Sequence, residues 1–502
     1  MTCASRGLPS NGLLAAASLW FAAACTAPVP APGQTQAPPE TVAVAADTPA
    51  VGDTPANLDG EPAVDAGAPT PTAQLVSGFD FVEGPDGPCG TPDPKTPPAP
   101  KLHSNPKQLV RNQHMTWQHD PATTISITWT TEASDLKTYQ PKVLFGEASA
   151  MCADGRFLLK QGKVATGIGA LYEAVVADKP TKVVAWTVEM TALKPDTEYV
   201  FRAGNFAEFD PAAKKLLGPE FGKVGSFRTA PKKGDKKPMP FVFAGDSRGG
   251  APIITSRSPT YAKIPALAWF FSGDMNTVGT QAEWNDWFKA MEPILDRRPL
   301  MPVQGNHELF SDVYYNQFAL PAMPGIPAEW IEHAWALDIG NVHFVGLDSN
   351  SSDNIKGSID WLKDDLKKAA ADKDIDFTIV QYHHTTYSAG PHGPTAWVKE
   401  LLVPLFEQHG VDLVINGHDH TYERSLPILA DKVSSPEKGI TYVVAGGFYA
   451  PAYQNGTKWW TKVSHHGSKA NYLQLLVNGA VLTGTAWSGD GKEKLDEFVI
   501  MR

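Results

Sequence analysis

The segment VDLVINGHDHTYERS, Val411 to Ser425, begins as a short apolar run and stops abruptly in a polar loop that carries His418 and His420. Val411 to Ile415 has the length and character of a buried strand. The two imidazoles behind it stand at i and i+2, so they aim into one place only if the backbone turns between them. Four other stretches repeat the design. PFVFA (Pro240 to Ala244) runs into Gly245-Asp246, and LAWFFS (Leu267 to Ser272) into Gly273-Asp274. LMPVQ (Leu300 to Gln304) runs into Gly305-Asn306-His307-Glu308, and DFTIVQY (Asp376 to Tyr382) into His383-His384. Helical patterns lie between them, such as Gly357 to Asp372 with apolar residues at Ile359, Leu362 and Leu366. Strands alternating with helices predict an α/β architecture, central β-sheets flanked by helices, with its site beyond the carboxyl ends of the strands.

One Gly-Asp or His-x-His pair carries no signal. Five such loops in order, each closing an apolar strand, do. They deliver Asp246, Asp274, Asn306, His383, His418 and His420, all able to bind metal through oxygen or imidazole nitrogen. Asp246, Asp274 and Asn306 follow one another at intervals of roughly 30 residues, room for a strand and a crossover. Glycines 245, 273, 305 and 417 are expected to let the chain turn just before each ligand. Carboxylate, amide and imidazole together suit a pair of transition-metal ions (Fe, Zn or Mn) and not calcium. Two ions about 3.5–4 Å apart can share a carboxylate and a hydroxide, which suits in-line attack on a phosphoester.

Upstream, from Asn105 to Pro231, the pattern is all-β. TISITWTT (Thr124 to Thr131) alternates apolar and polar residues as a half-buried strand does, and KVVAWTVEMTAL (Lys182 to Leu193) is a second strand. LKPDTEYVFRAG (Leu193 to Gly204) resembles the Leu-x-Pro-x-Thr-x-Tyr signature of fibronectin type III-like sandwiches, with GSFRTAP (Gly225 to Pro231) as the last strand. Trp129, Trp186 and Tyr199 read as core.

With that sandwich ahead of it, the loop series resembles the calcineurin-like metallophosphoesterases, and within them the purple acid phosphatases. The motif NGHDHTYERS (Asn416 to Ser425) is similar to that branch's Gly-His-x-His-x-Tyr-Glu-Arg. The resemblance implies that Asp274 bridges two metals. Asn306, His383 and His418 would complete one site, and Asp246 with His420 the other. His307, and His392 in YSAGPHGP (Tyr387 to Pro394), would contact the substrate phosphate or the leaving group as catalytic residues. Two positions depart from the family pattern. Thr277 stands where the family's tyrosine binds ferric iron, so tyrosinate-bound Fe(III) is not expected, and water or a weaker site takes its place. Arg248 stands where the wider superfamily has histidine; its planar fork either contacts substrate phosphate or forms a structural salt bridge. His384 reads as pointing away from its ligand neighbour, with a supporting or substrate role as the alternative; His465-His466 read as loop histidines and Trp459-Trp460 as packing residues, and Asp348 is unassigned. Asp419 faces solvent or supports its loop, and Glu423-Arg424 are expected to form a pair.

The chain of 502 residues divides on this reading into an export signal (1–25), a Pro/Ala-rich spacer (26–104), the sandwich (105–231) and the catalytic domain (238–502). The apolar run Leu13 to Ala24 after Arg6 ends in Ala22-Ala23-Ala24-Cys25, which resembles a bacterial lipobox with alanine in place of the commoner leucine. Cys25 would then carry lipid and give the only membrane contact, in the bacterial envelope, with plain secretion as the alternative. Cys89 and Cys152 remain, to pair as a disulfide or to stay as thiols. The spacer, rich in proline and nearly free of aromatics, has too little to bury to fold.

A net charge of −11 with 19% charged residues argues against sequence-independent nucleic-acid binding, and 42% hydrophobic residues allow a large core. The expectation is a hydrolase of phosphate monoesters, acid phosphatase-like. A phosphodiesterase on the same scaffold and a surface binding protein with a non-catalytic phosphatase domain stand as alternatives.

Overall fold

The computed structural model describes residues 109–132, 136, 139–148, 163–176, 179–206, 220–308, 312–465 and 470–502. The export signal, the spacer, Cys25, Cys89, Cys152 and His466 lie outside the described residues.

The first β layer pair is a sandwich. One sheet runs Arg111–Thr116, Ile125–Thr131, Lys179–Met190, Ile168–Val176. The facing sheet runs Lys163–Thr166, Gln140–Glu147, Glu198–Phe206, Glu220–Phe221, with Gly225–Arg228 also paired to Glu198–Phe206. Trp129, Trp186, Phe145 and Phe201 fill its interior. Tyr199, read from the sequence as core, is buried, and its hydroxyl also accepts the Lys194 backbone N–H at 2.9 Å, closing a corner within the Leu-x-Pro-x-Thr-x-Tyr segment. Ile125–Thr131 is buried along its whole length, where the alternating pattern predicted one wet face. The reason lies beside it: the next half of the chain covers that sheet. Helix Gln281–Leu295 packs on Arg111–Thr116, stacking Phe288 on His114 at 4.6 Å, and Tyr172 donates to Gln281 at 2.7 Å. Lysines in the connection between the two halves are also tied down, Lys233 to Asp338 and Asp372, and Lys237 to Asp196.

Beyond that connection two further sheets lie face to face. One is ordered Leu300–Pro302, Ala268–Phe271, Met239–Ala244, Asn471–Asn478, Val481–Ser488, Lys494–Met501; its first three strands are parallel. The other is ordered Ala334–Ile339, Val342–Leu347, Phe377–Tyr382, Leu413–Asn416, Thr441–Ala445, Tyr422–Ser425, Thr461–His465, with four parallel strands at its centre. Phe344 from the second sheet meets Phe241 at 4.9 Å and Phe270 at 4.7 Å from the first, so aromatic rings form the layer between them. Helices Ser352–Ala371 and Ala396–His409 cover the outer face of the second sheet through Leu362, Leu366, Leu402 and Phe406. Ser352–Ala371 starts earlier than the apolar spacing from Gly357 predicted, because the Ser351 hydroxyl caps it by accepting the Asn354 N–H at 3.1 Å. Among the described residues no helix is long and apolar enough to cross a membrane.

His343, on the second sheet, joins that sheet to its covering helix: Nδ1 lies 2.7 Å from Asp338 and Nε2 2.9 Å from Asp365. Burial alone would lower its pKa, and the two carboxylates more than reverse this, raising it to about 9.

Two outcomes test this architecture. Phe344→Ala is expected to cost about 3–5 kcal/mol in urea unfolding, from lost burial and the cavity left between the sheets. Ile168→Ala, at a residue 74% exposed, should stay within about 0.5 kcal/mol. The His343 cluster stabilises fully below the unfolded histidine value of about 6.5 and loses its effect as pH rises through about 9. Between pH 6 and pH 9.5 the wild type should therefore lose on the order of 3 kcal/mol more than His343→Asn does.

Candidate metal centre

The carboxyl ends of the parallel strands from both sheets open on one spot. Asp246 and Asp274 follow Met239–Ala244 and Ala268–Phe271, and Asn306 follows Leu300–Pro302. His383 follows Phe377–Tyr382 in the other sheet, and His418 and His420 follow Leu413–Asn416. The site is thus a seam, with three side chains supplied by each sheet.

Glycine was expected to make each turn. Instead the left-handed backbone falls mostly on the functional residues themselves: φ is 58° at Asp246, 56° at Asp274 and 68° at His418, and among the preceding glycines only Gly273 has it. Such positions cost energy and persist where the surroundings over-determine them. Gly305 and Gly417 are needed for closeness. A Cβ on Gly305 would sit 2.3 Å from the Asp274 carboxylate, and one on Gly417 2.4 Å from that of Asp246. Consecutive tight turns, Asp419 N–H to Gly417 C=O at 2.9 Å and Thr421 N–H to Asp419 C=O at 2.7 Å, swing both loop imidazoles inward.

Atoms of Asp246, Asp274 and His420 lie within 4.8 Å of one another, all buried. On the other side of Asp274, His383 Nε2 is 3.3 Å from its Oδ1, 2.9 Å from Asn306 Oδ1 and 3.1 Å from His418 Nδ1. Backbone carbonyls set the histidine tautomers. His383 Nδ1 donates to Ser272 O at 2.7 Å and His420 Nδ1 to Pro451 O at 2.6 Å, which leaves both Nε2 lone pairs facing the centre. Burial pushes His383 down to about 3 and His420 to about 4, and lowers His418 as well. Burial raises Asp246, with Asp274 adding to it, and burial raises Asp274. Neutral imidazoles and an amide oxygen crowding a buried carboxylate have lone pairs and few protons to share. A cation satisfies that donor set, so the buried Asp246, Asp274 and His420 group fits a metal ion.

His307 and His392 flank this cluster. His307 is 26% exposed; its Nδ1 donates to Thr277 O at 2.7 Å, and its Nε2 is 3.9 Å from Asp274. His392 is exposed, its ring 4.1 Å from that of His418. Thr277, at the position of the family tyrosine, meets His307 through its carbonyl. Arg248 makes no salt bridge to any carboxylate among the described residues, so the structural ion pair considered for it is not present.

The supporting residues take these places. Of the two readings for Asp419 the structure shows loop support: it is buried and accepts from the Ser388 hydroxyl and the His392 N–H at 3.1 Å, so it anchors the His392 loop. Glu423 and Arg424 do not pair, since neighbours on a strand face opposite ways. Glu423 takes the Ala389 N–H (2.7 Å) and Trp460 Nε1 (3.1 Å), whereas Arg424 is bidentate on Asp496. His465 donates from Nε2 to Leu495 O, away from the site; Trp460 is core and Trp459 half exposed. His384 is buried with its ring 4.5 Å from that of His418, and Asp348 pairs with His333 at 2.7 Å.

Glu308 escaped the sequence reading. It is fully buried and accepts N–H bonds from Gly305 (2.7 Å), Asp274 (2.9 Å), Met275 (2.7 Å) and Asn276 (3.3 Å), tying two of the loops together. Burial, with Asp274 nearby, pushes it up to about 8. A carboxylate in an otherwise glycine- and amide-rich loop was the available signal. Tyr453 also escaped; its ring stacks on His420 at 4.1 Å and 13°.

Comparison with known proteins agrees with the geometry. Residues 110–229 match the model of the purple acid phosphatase N-terminal domain, and residues 226–422 that of the calcineurin-like phosphoesterases. Purple acid phosphatase 23 of Arabidopsis thaliana is 25% identical over 343 residues, 60% of this chain and 72% of that protein. An uncharacterized protein of Mycobacterium tuberculosis is 27% identical over 283 residues, 48% of this chain and 50% of its own length. The chain thus spans about half the length of the first curated relatives it matches. Among solved structures, a purple acid phosphatase from yellow lupin (Lupinus luteus) seeds superposes with a TM-score of 0.61 at 17% identity, covering 79% of this chain and 75% of that one. PhoD gives 0.51 at 13% identity, over 79% and 94%. These likenesses bear on the fold alone. The two family models matched in sequence thus give the chain a purple acid phosphatase N-terminal domain over residues 110–229, ahead of a calcineurin-like phosphoesterase domain over residues 226–422.

Proposed function

We propose that the chain hydrolyses phosphate monoesters with two metal ions bound at the seam. The observation that carries this reading is the set of six converging side chains, with Asp274 in contact with both halves of the cluster. Asp246, Asp274 and His420 would hold one ion, and Asp274, Asn306, His383 and His418 the other. When bound, such ions supply a water of lowered pKa and positive charge against the phosphoryl oxygens.

The chain's own groups do the rest by position. Phosphoryl transfer asks for alignment and charge stabilisation more than for covalent chemistry. Glu308 holds the Asp274 and Asn306 loops rigid through its N–H bonds. The Ser272 and Pro451 carbonyls keep His383 and His420 unprotonated on the side that faces the centre. His307 has its Nδ1 proton committed to Thr277, so in its protonated form Nε2 is free to donate to a phosphoryl or leaving oxygen. His392, presented by the loop that Asp419 anchors, reaches the same mouth from the opposite wall. Export and lipidation at Cys25, and the domain limits given above, remain part of this proposal on their sequence signals.

Turnover of p-nitrophenyl phosphate by the metal-loaded full chain tests the reading. It should exceed that of bis-p-nitrophenyl phosphate, and Asp274→Asn should lose more than about 100-fold, beyond the 10–100-fold typical of outer-sphere changes. A diester preference would overturn the substrate class, and turnover unaffected by the substitution would overturn the site. Iron-loaded protein is expected to be colourless, because Thr277 offers no phenolate. A tyrosinate charge-transfer band in its visible spectrum would contradict that.

A further inference from the structure

Arg248 sits two residues beyond Asp246 in a backbone conformation with φ 34°. Its N–H and that of Ser247 both donate to the Asp274 carbonyl, at 3.1 and 2.9 Å, so the peptide hangs from the central aspartate. The left-handed conformation is costly for a non-glycine residue and persists where the surroundings over-determine it. The side chain it directs has its Nε buried without a partner. Its charge nevertheless acts on Asp246, Asp274, His383 and His420, so the guanidinium stands at the wall of the cluster. A cation held there with its Nε–H unspent is matched to an oxyanion that arrives from outside.

Tyr453 completes the wall. Its backbone N–H donates to His420 O at 3.1 Å, and its ring lies flat on the His420 ring at 4.1 Å and stands 5.5 Å from that of His392. Its phenol interacts with the Arg248 guanidinium. The one side chain therefore spans from His420 to His392 while limiting where the arginine fork can swing.

We propose that Arg248 and Tyr453 form a clamp for the terminal oxygens of the substrate phosphate and set the preference for monoesters over diesters. This rests on the phosphatase reading above and names its specificity residues. A monoester dianion offers one more charged terminal oxygen than a diester monoanion. A planar fork with its Nε–H unspent rewards that oxygen. In a diester the same place is taken by a second ester group, which brings bulk against Tyr453 and no charge for Arg248.

The test uses the metal-loaded full chain with Arg248→Lys, which keeps the charge and loses the fork, and Tyr453→Phe, which keeps the ring and loses the hydroxyl. For Arg248→Lys, kcat/KM on p-nitrophenyl phosphate should fall roughly 10–100-fold, the value of a hydrogen bond to a charged group. Turnover of bis-p-nitrophenyl phosphate should change less than about 3-fold, inhibition by inorganic phosphate should weaken in parallel, and metal content should stay the same. Tyr453→Phe should move the ratio the same way by a smaller factor. An unchanged monoester-to-diester ratio, or equal losses on both esters accompanied by metal loss, overturns the clamp. If the wild type turns over neither ester, the phosphatase reading fails by itself. Calorimetric binding of inorganic phosphate then decides the clamp: weaker binding in Arg248→Lys supports it, and equal binding overturns it.

Discussion

The packing of one sheet on the other through Phe241, Phe270 and Phe344 is the contact on which the rest depends. Neither sheet alone carries the cluster. Asp246, Asp274 and Asn306 grow from strand ends of one sheet, and His383, His418 and His420 from strand ends of the other. The aromatic layer sets how far apart those ends sit. Close packing in such an interior leaves little slack, so groups more than 100 residues apart in sequence, such as His418 and Asp246, are held to within hydrogen-bonding distance.

Holding them there opposes another force. Asp246, Asp274 and Glu308 are carboxylates removed from water within one small volume, and burial raises the pKa of each. The fold answers with backbone N–H groups: two contacts from His418 onto Asp246, one from His307 onto Asp274, and four onto Glu308. These donors stiffen the loops but bring only partial positive charge. The charge that remains leaves the buried Asp246, Asp274 and His420 group suited to a cation, and Arg248 carries a positive charge close by with no carboxylate partner among the described residues.

Much of this was legible in the sequence because its signals are local. The candidate ligands each follow an apolar strand, and the Leu-x-Pro-x-Thr-x-Tyr segment marks the sandwich and its buried Tyr199. Two features could not be read from strand patterns. The first is which strands share a sheet: the loop series predicts central β-sheets without allotting strands to them, and Met239–Ala244 and Phe377–Tyr382 belong to different ones. The second is any contact made across the seam or between the halves of the chain. Burial of both faces of Ile125–Thr131 depends on a helix more than 150 residues downstream. Glu308 and Tyr453 act through partners on other loops, and only the folded loop decides between the solvated and the loop-supporting reading of Asp419. Glycine's role was read too simply, since Gly305 and Gly417 supply closeness while Asp246, Asp274 and His418 themselves take the strained turn.

The most direct test of the central claim is the metal content of the purified full chain, counted per chain by elemental mass spectrometry after loading and desalting. The account predicts two ions per chain. It also predicts that His418→Ala retains fewer than two while remaining folded by circular dichroism. A folded wild-type chain that keeps no metal, or one whose stoichiometry is unchanged by loss of His418, would contradict the account.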